Sequence, residues 1–298
     1  MMKYRRIPRL PLLCVVCFAS MLAGCVPKVT PPTVKPATVA IVLGAGAVKG
    51  FAHVGVLRIL ESQRVPIHMI VGTSVGSLVG SLYAYGYSAQ QLQAMASALE
   101  RDDLIDLTLP DNGFVKGEKL EIYVNRMVRD TPIEKFRIPF HAVATDIKTG
   151  EEFVFGKGNA GMAVRASCAI PGIFKPSRIS GRTYADGGIV SPLAIDIARR
   201  YGADVVIAVD ISSGITQATP QGTVETILQS IDIMYAKIAA LQIPRADVII
   251  RPNVGHIGST DFTRKSEAMN EGEKAAHAAM PAIQSVLSRC RQNGRLPS

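Results

Sequence analysis

Short apolar segments alternate with segments of helical periodicity over most of the chain. The predicted strands are Thr38–Leu43, Met69–Val71, Pro139–Ala144, Glu152–Phe155, Asp204–Asp210 and Asp247–Ile250. The predicted helices are Lys49–Leu60, Ser77–Tyr85, Asn159–Ala169, Pro192–Tyr201 and Glu267–Cys290. Apolar strands separated by helices are typical of a sheet covered on both faces, so the pattern predicts an α/β fold with a largely parallel sheet. Residues 89–130 carry a weaker helical pattern, which leaves open whether they form a cap.

The first residues have the composition of a secretory signal. A basic start is followed by the apolar run Leu10–Ala19, which is shorter than the roughly 20 residues that span a bilayer. The run leads into Leu22-Ala23-Gly24-Cys25, which resembles a bacterial lipobox, where the chain is cleaved before a cysteine that receives lipid. We therefore predict a signal peptide over residues 1–24 and lipidation of Cys25. The alternative is an ordinary signal with a chance cysteine.

Residues 25–37 form a proline-rich segment between the predicted lipid and the globular part. Proline fixes φ and lacks an N–H group, so an extended tether is predicted here, followed by one domain over residues 38–298. Val26 stands where an aspartate would signal retention at the inner membrane of enteric-type bacteria. The sequence therefore predicts an envelope lipoprotein of the outer membrane that faces the periplasm.

Charge and cysteine content exclude several classes of function. The formal net charge is +9, but four of these positive charges lie in the first nine residues and no run of five basic residues occurs. The sequence thus lacks the basic patch typical of nucleic-acid binding. Cys168 and Cys290 are expected to be free thiols, although they could pair in an oxidising compartment. No cysteine and histidine cluster has metal-ligand spacing, so no metal is expected.

A Gly-x-Ser-x-Gly pattern stands between a short apolar strand and a helix of small residues. It consists of Gly72, Ser74 and Gly76. This arrangement is typical of a nucleophile elbow, in which the serine occupies a tight turn and its hydroxyl is presented at a helix N-terminus. The pattern alone is weak, because a glycine-rich turn with a capping serine has the same spacing.

A second glycine-rich segment, Gly44 to Gly50, also lies between a strand and a helix. A dinucleotide-binding loop would need an acidic residue at the end of the next strand, whereas that strand ends in Gly72-Thr73-Ser74. The other interpretation is an oxyanion hole formed by N–H groups around Gly46 and Ala47. Two neighbouring parallel strands would bring this loop and the serine to the same edge of the sheet.

A nucleophilic serine needs a base, which is usually a histidine. The order Ser74, Asp210, His256 matches that of α/β-hydrolases, but in that fold several strands precede the elbow and here only one precedes the elbow strand. His53 and His277 lie in predicted helices and are interpreted as structural or surface residues. A third motif, Asp186-Gly187-Gly188, follows the strand-like segment Arg182–Ala185. Taken alone it is a common turn, and its functional interpretation depends on the other two motifs.

The three motifs in this order resemble those of the patatin-like phospholipase family. Further stretches resemble the bacterial single-domain branch, namely Ala144-Thr145-Asp146, Ala166-Ser167-Cys168-Ala169-Ile170-Pro171-Gly172 and Gly202-Ala203-Asp204. The resemblance runs from about Val39 to the last helix. It implies a three-layer αβα fold with a central, mostly parallel sheet and a Ser-Asp dyad.

The resemblance also implies roles for individual residues. Ser74 would be the nucleophile, Asp186 the base, and the loop of Ala45, Gly46 and Ala47 the oxyanion hole. The family often has three successive glycines in this loop, and we expect the two alanines to offer their N–H groups at negative φ. Lys49 would orient the loop or meet a phosphate.

The function implied is that of a serine acyl hydrolase acting on a phospholipid or another acyl ester, without a metal or nucleotide cofactor. Two alternatives remain at this point. An acyltransferase would share the acyl-enzyme, and an inactive envelope lipoprotein would use the same fold to bind lipid.

Overall fold

The computed structural model describes residues 35–212 and 219–297, and the described residues from Pro36 onward form one compact unit. The predicted signal peptide, the lipidated Cys25 and nearly all of the predicted tether lie outside the described residues. No helix among the residues described has both the length and the apolar character needed to span a membrane.

Among the described residues, eight strands form one mixed sheet. They are β1 (Val39–Leu43), β2 (Met69–Thr73), β3 (Phe140–Asp146), β4 (Glu152–Phe155), β5 (Ser177–Ile179), β6 (Arg182–Asp186), β7 (Val205–Val209) and β8 (Val248–Ile250). The order is β5-β6-β3-β2-β1-β7-β8, with β4 also paired to β3. Strands β3, β2, β1, β7 and β8 are parallel to their neighbours in that order, and β4, β5 and β6 pair antiparallel. The predicted fold with a mostly parallel sheet is therefore confirmed.

Helices cover both faces of this sheet. In chain order they are α1 (Phe51–Ser62), α2 (Val75–Tyr85), α3 (Ala89–Ala98), α4 (Arg101–Leu104), α5 (Glu118–Met127), α6 (Ala160–Ser167), α7 (Ile195–Arg200), α8 (Thr223–Gln242) and α9 (Lys265–Gln292). The helix predicted from Lys49 begins with a 3-10 turn over Ala47–Gly50, and the helix predicted from Pro192 begins only at Ile195. The sequence pattern predicted neither β5 nor α8.

The two faces of the sheet carry separate cores, because alternate residues of a strand point to opposite sides. Val39, Ile41 and Leu43 of β1 belong to the core beneath α1, α2 and α9. Ala40 and Val42 belong to the core beneath α7. All five side chains are fully buried, which explains why β1 is apolar at every position. The result is the three-layer arrangement that the family resemblance implies.

Strands β2 and β6 pair with the same edge of β3, one after the other along its length. Strand β2 pairs with Phe140–Val143 and β4 pairs with Ala142–Thr145. Because these stretches overlap, β2 and β4 lie on opposite edges of β3. Strand β6 pairs with Ala144–Asp146, which overlaps the β4 stretch, so β6 shares the edge that β2 occupies.

This pairing brings the ends of β2 and β6 together. Thr73 at the end of β2 pairs with Val143, and Asp186 at the end of β6 pairs with the next residue, Ala144. Since β6 runs antiparallel to β3, the two strands approach each other end to end. The residue that follows Thr73 is Ser74, so the strand register places Ser74 beside Asp186.

Candidate active site

Ser74 stands at a sharp turn between β2 and α2. Its backbone has φ 56° and ψ −128°, a conformation that side chains rarely adopt and that costs on the order of 1–3 kcal/mol. The flanking glycines permit the turn, because a Cβ on Gly76 would lie 2.1 Å from the carbonyl oxygen of Leu43 and one on Gly72 would lie 2.6 Å from the backbone of Ser77. The geometry is the strand-to-helix turn that the Gly-x-Ser-x-Gly pattern predicts.

A second serine holds this turn in place. The backbone N–H of Ser74 donates to Oγ of Ser167 at 2.9 Å, and that hydroxyl donates to the carbonyl of Val143 at 2.6 Å. Ser167 is fully buried at the end of α6. No role was predicted for Ser167 from the sequence, because its contact with the turn depends on how α6 packs across the sheet.

The side chain of Ser74 meets one carboxylate. Its hydroxyl donates to Oδ2 of Asp186 at 2.6 Å, and the backbone N–H of Gly188 donates to Oδ1 at 2.7 Å. The main chain is fixed as well, since the Asp186 N–H donates to the carbonyl of Ala169 and the Thr145 hydroxyl donates to the Asp186 carbonyl. Asp186 has no exposed surface, so its carboxylate is held at both oxygens inside the protein.

Burial raises the pKa of Asp186 from 3.8 to about 6. The loss of solvent around the charged form is the largest cause. The hydrogen bonds from Ser74 and Gly188 oppose it, and so does the nearby hydroxyl of Tyr235. A carboxyl group with this pKa is mostly ionised at neutral pH and is a stronger base than an exposed aspartate.

The loop that follows β1 reaches the site, since Ala47 lines the same cavity as Ser74. Among the described residues, none accepts a hydrogen bond from the N–H of Gly46 or Ala47. The prediction was wrong for Ala45, whose N–H donates to the carbonyl of Pro192 at 2.9 Å, because the chain is still tied to the neighbouring loop there. The expected negative φ was wrong for Ala47, which has φ 49° at the start of the 3-10 turn.

The residues of the histidine alternative, Asp210 and His256, have other partners. His256 contacts Glu267 at 2.7 Å and is 43% exposed, while Asp210 pairs with Arg251 at 3.1 Å. His53 is buried with Nε2 at 2.9 Å from the carbonyl of Gly44, and burial lowers its pKa to about 4. Asp186 is therefore the group that accepts the hydrogen bond from Ser74.

An apolar cavity of about 280 Å³ adjoins Ser74. Its walls come from helices α1 to α5, from the segment between α4 and α5, and from α8. They include Phe51, Leu78, Leu92, Leu107 and Tyr123. Much of residues 89–130 therefore covers one side of the site. The sequence had left open whether this stretch forms a cap. Cys168 also lines the cavity, and burial raises the pKa of its thiol.

The model of the family described as patatin-like phospholipase matches residues 41–199, more than half of the chain and nearly the whole stretch from β1 to α7. The chain belongs to the patatin-like phospholipase family. Both Ser74 and Asp186 lie within the matched region.

Relatives with known sequences support this assignment. An NTE family protein of Mycobacterium tuberculosis, itself uncharacterized, is 36% identical over 176 residues, which cover 58% of this chain and 49% of that protein. The lysophospholipase NTE1 of Coccidioides immitis is 28% identical over 295 residues, covering 87% of this chain and 18% of that protein. The chain thus spans about half, or less, of the length of these relatives.

A solved structure shows the same fold. VipD from Legionella pneumophila superposes with a TM-score of 0.59 at 13% sequence identity, covering 85% of this chain and 67% of VipD. At this identity the similarity bears on the fold alone.

In this member of the patatin-like phospholipase family, the basic residue of the loop is buried. Lys49 is 2% exposed, and its Nζ donates to Oδ2 of Asp232 on α8 at 2.9 Å. Ser259 donates to the same oxygen at 2.7 Å. Of the two roles predicted for Lys49, orientation of the loop agrees with this ion pair. Asp232 was not predicted as a site residue, since α8 itself was not predicted.

The state of two cysteines and the turn of the Asp-Gly-Gly motif were also predicted from the sequence. Cys168 and Cys290 are both free thiols. Gly187 and Gly188 lie in a 3-10 turn capped by the side chain of Asp186, which accepts from the N–H of Gly188. The turn predicted for this motif thus also fixes the carboxylate beside Ser74.

Proposed function

We propose that this protein is a serine acyl hydrolase that acts on lipid esters, with Ser74 as nucleophile and Asp186 as its base. The observation that carries the proposal is the 2.6 Å hydrogen bond from the Ser74 hydroxyl, at a strained turn, to a buried carboxylate. Strained backbone and a carboxyl group of raised pKa are both typical of catalytic sites.

In the first half of the reaction, Oγ of Ser74 attacks the ester carbonyl carbon while its proton passes to Asp186. The negative charge on the carbonyl oxygen is stabilised by the N–H groups of Gly46 and Ala47, and one such donor contributes roughly 3–4 kcal/mol. The bond to the alcohol then breaks, and the departing oxygen takes the proton from Asp186. The acyl group remains on Ser74.

In the second half, water attacks the same carbonyl carbon and gives a proton to Asp186. The bond from the carbonyl carbon to Oγ of Ser74 breaks, and the proton returns to Oγ. An acceptor other than water would make the protein an acyltransferase, and the products of the reaction distinguish these two cases.

The proposed substrate carries a fatty acyl chain that enters the apolar cavity. A volume of about 280 Å³ is at the lower end for ligand pockets, which favours one acyl chain over two. Leu107 and Val224 line the cavity and are 71% and 41% exposed, so the apolar surface continues to the outside. The name of the Coccidioides immitis relative, a lysophospholipase, agrees with a substrate of one chain.

The test compares a monoacyl and a diacyl phosphatidylcholine as substrates. We expect release of free fatty acid from both, faster from the monoacyl lipid, and loss of activity by at least about 10³-fold in the Ser74→Ala and Asp186→Asn variants. Ser81→Ala is the matched control, because Ser81 is a buried serine of α2 that donates only to its own helix. Full activity of Ser74→Ala would contradict the proposal, and intact lipid binding without turnover would favour the inactive lipoprotein.

We also propose that the protein is anchored at the outer membrane through a lipid on Cys25. The support is the Leu22-Ala23-Gly24-Cys25 sequence and the absence of aspartate after it. Metabolic labelling with palmitate should mark the wild-type protein and not the Cys25→Ala variant. Equal labelling of both would refute the anchor.

A further inference from the structure

Tyr235 of α8 is packed against the turn that carries Asp186. The side chain is 3% exposed, and a Cβ on Gly188 would lie 2.3 Å from its Cζ atom. The end of the ring that bears the hydroxyl therefore lies directly on Gly188. Only glycine leaves room for the ring there, so the position of the hydroxyl is fixed by close packing.

The hydroxyl of Tyr235 is buried and, among the described residues, has no hydrogen-bond partner of normal geometry. It nevertheless lies close enough to Asp186 to oppose the rise in that carboxyl's pKa. Burial is the largest cause that raises the pKa of Tyr235, and the Asp186 carboxylate raises it further. A buried donor without a partner is unfavourable for the folded protein. This one stands beside the carboxylate without being engaged by it.

The hydrogen bonds of Asp186 must change during the proposed reaction. In the resting protein, Oδ2 accepts from Ser74 and Oδ1 accepts from the N–H of Gly188. In the acyl-enzyme, Oγ of Ser74 is an ester oxygen and carries no hydrogen. The carboxylate then loses one of its two donors, at the stage when it must hold the attacking water.

We propose that Tyr235 is a positioning residue for deacylation, whose hydroxyl donates to the Asp186 carboxylate once Ser74 is acylated. This inference rests on the proposed function, because it requires the acyl-enzyme. The hydroxyl keeps the carboxylate oriented towards the water and does not itself exchange a proton. The water proton passes to Asp186 and then to Oγ of Ser74, as described above.

The first test is the pre-steady-state hydrolysis of a p-nitrophenyl ester by the Tyr235→Phe variant. We expect a burst of p-nitrophenol equal to the concentration of active sites, followed by a steady state roughly 10-fold slower than that of the wild type, as expected for loss of a hydrogen bond to a charged group. Because deacylation alone is slowed, kcat and KM fall together and kcat/KM changes less than about twofold.

The matched control is Ile231→Val, which changes packing in the same cluster on α8 and leaves the hydroxyl in place. We expect its kcat and KM to be those of the wild type. If Tyr235 serves only to pack, Tyr235→Phe keeps the ring and behaves like the control. Wild-type deacylation in Tyr235→Phe would overturn the inference.

A second test does not depend on turnover. In a Ser74→Ala background, which also removes the serine donor, the carboxyl of Asp186 is titrated by ¹³C NMR with and without Tyr235→Phe. A hydrogen bond to the carboxylate lowers its pKa, so its loss should raise the pKa measurably. Equal pKa values in the two proteins would overturn the role of Tyr235 even if the protein proves to be a hydrolase. An inactive wild-type protein with different pKa values would instead overturn the proposed function.

Discussion

At the scale of single residues, the site contains several features that destabilise the folded state, and the rest of the fold must offset them. Ser74 and Ala47 both have positive φ, and Asp186 is a carboxyl group without exposed surface. Each of these features is unfavourable for folding and favourable for the proposed chemistry. The pattern of glycines around Ser74 indicated the turn in advance. The positive φ of Ala47 could not be predicted, because alanine at that position suggested ordinary backbone.

Replacing Asp186 with asparagine should stabilise the protein at pH 7. The folded-state pKa of about 6 lies above the value of 3.8 for the free group, so the folded state disfavours the ionised form. The stability contributed by Asp186 therefore falls as pH rises from about 4 through about 6, by on the order of 3 kcal/mol. Asparagine carries no charge and can still accept from Gly188.

Urea unfolding of wild type and Asp186→Asn measures this difference. We expect the variant to be more stable by on the order of 3 kcal/mol at pH 7 and about equally stable at pH 4, where the wild-type carboxyl is protonated. A variant that is less stable than the wild type at pH 7 would show that the carboxylate is held favourably in the folded protein.

At the scale of secondary-structure elements, α8 joins the two halves of the site. Asp232 pairs with Lys49 of the loop after β1, and Tyr235 packs on Gly188 beyond β6. The predicted strands and most helices were confirmed because their apolar runs are continuous. Helix α8 was missed, and with it every contact that it makes to the site.

The pair of Lys49 and Asp232 should be strongly coupled. Asp232→Leu leaves a buried ammonium group without its partner, which typically costs about 3–5 kcal/mol. The double variant Lys49→Met and Asp232→Leu removes both charges and should recover most of that loss. The free energies of unfolding in urea of the wild type, Lys49→Met, Asp232→Leu and the double variant give the coupling energy. Additive losses would show that Lys49 is not held by Asp232.

At the scale of the whole molecule, the site depends on the register of the strands and on the packing of the helices over the sheet. The apolar strands indicated a covered parallel sheet, and the order of the motifs suggested that Ser74 and Asp186 act together. The meeting of β2 and β6 along one edge of β3 depends on pairing between distant strands, which the sequence pattern does not specify. The cavity likewise needs six helices and the segment after α4 to assemble around Ser74, so neither its volume nor its lining could be predicted.

Whether Ser74 is an activated nucleophile can be decided by labelling the purified protein with a fluorescent fluorophosphonate, which reacts with activated serines. Wild type and Ser81→Ala should be labelled, and Ser74→Ala should not. The labelling rate of the wild type should rise with pH through about 6 as Asp186 ionises. If Ser74→Ala is labelled at the wild-type rate, Ser74 and Asp186 do not form a catalytic pair. The same conclusion holds if the wild-type protein is not labelled even when lipid vesicles are present.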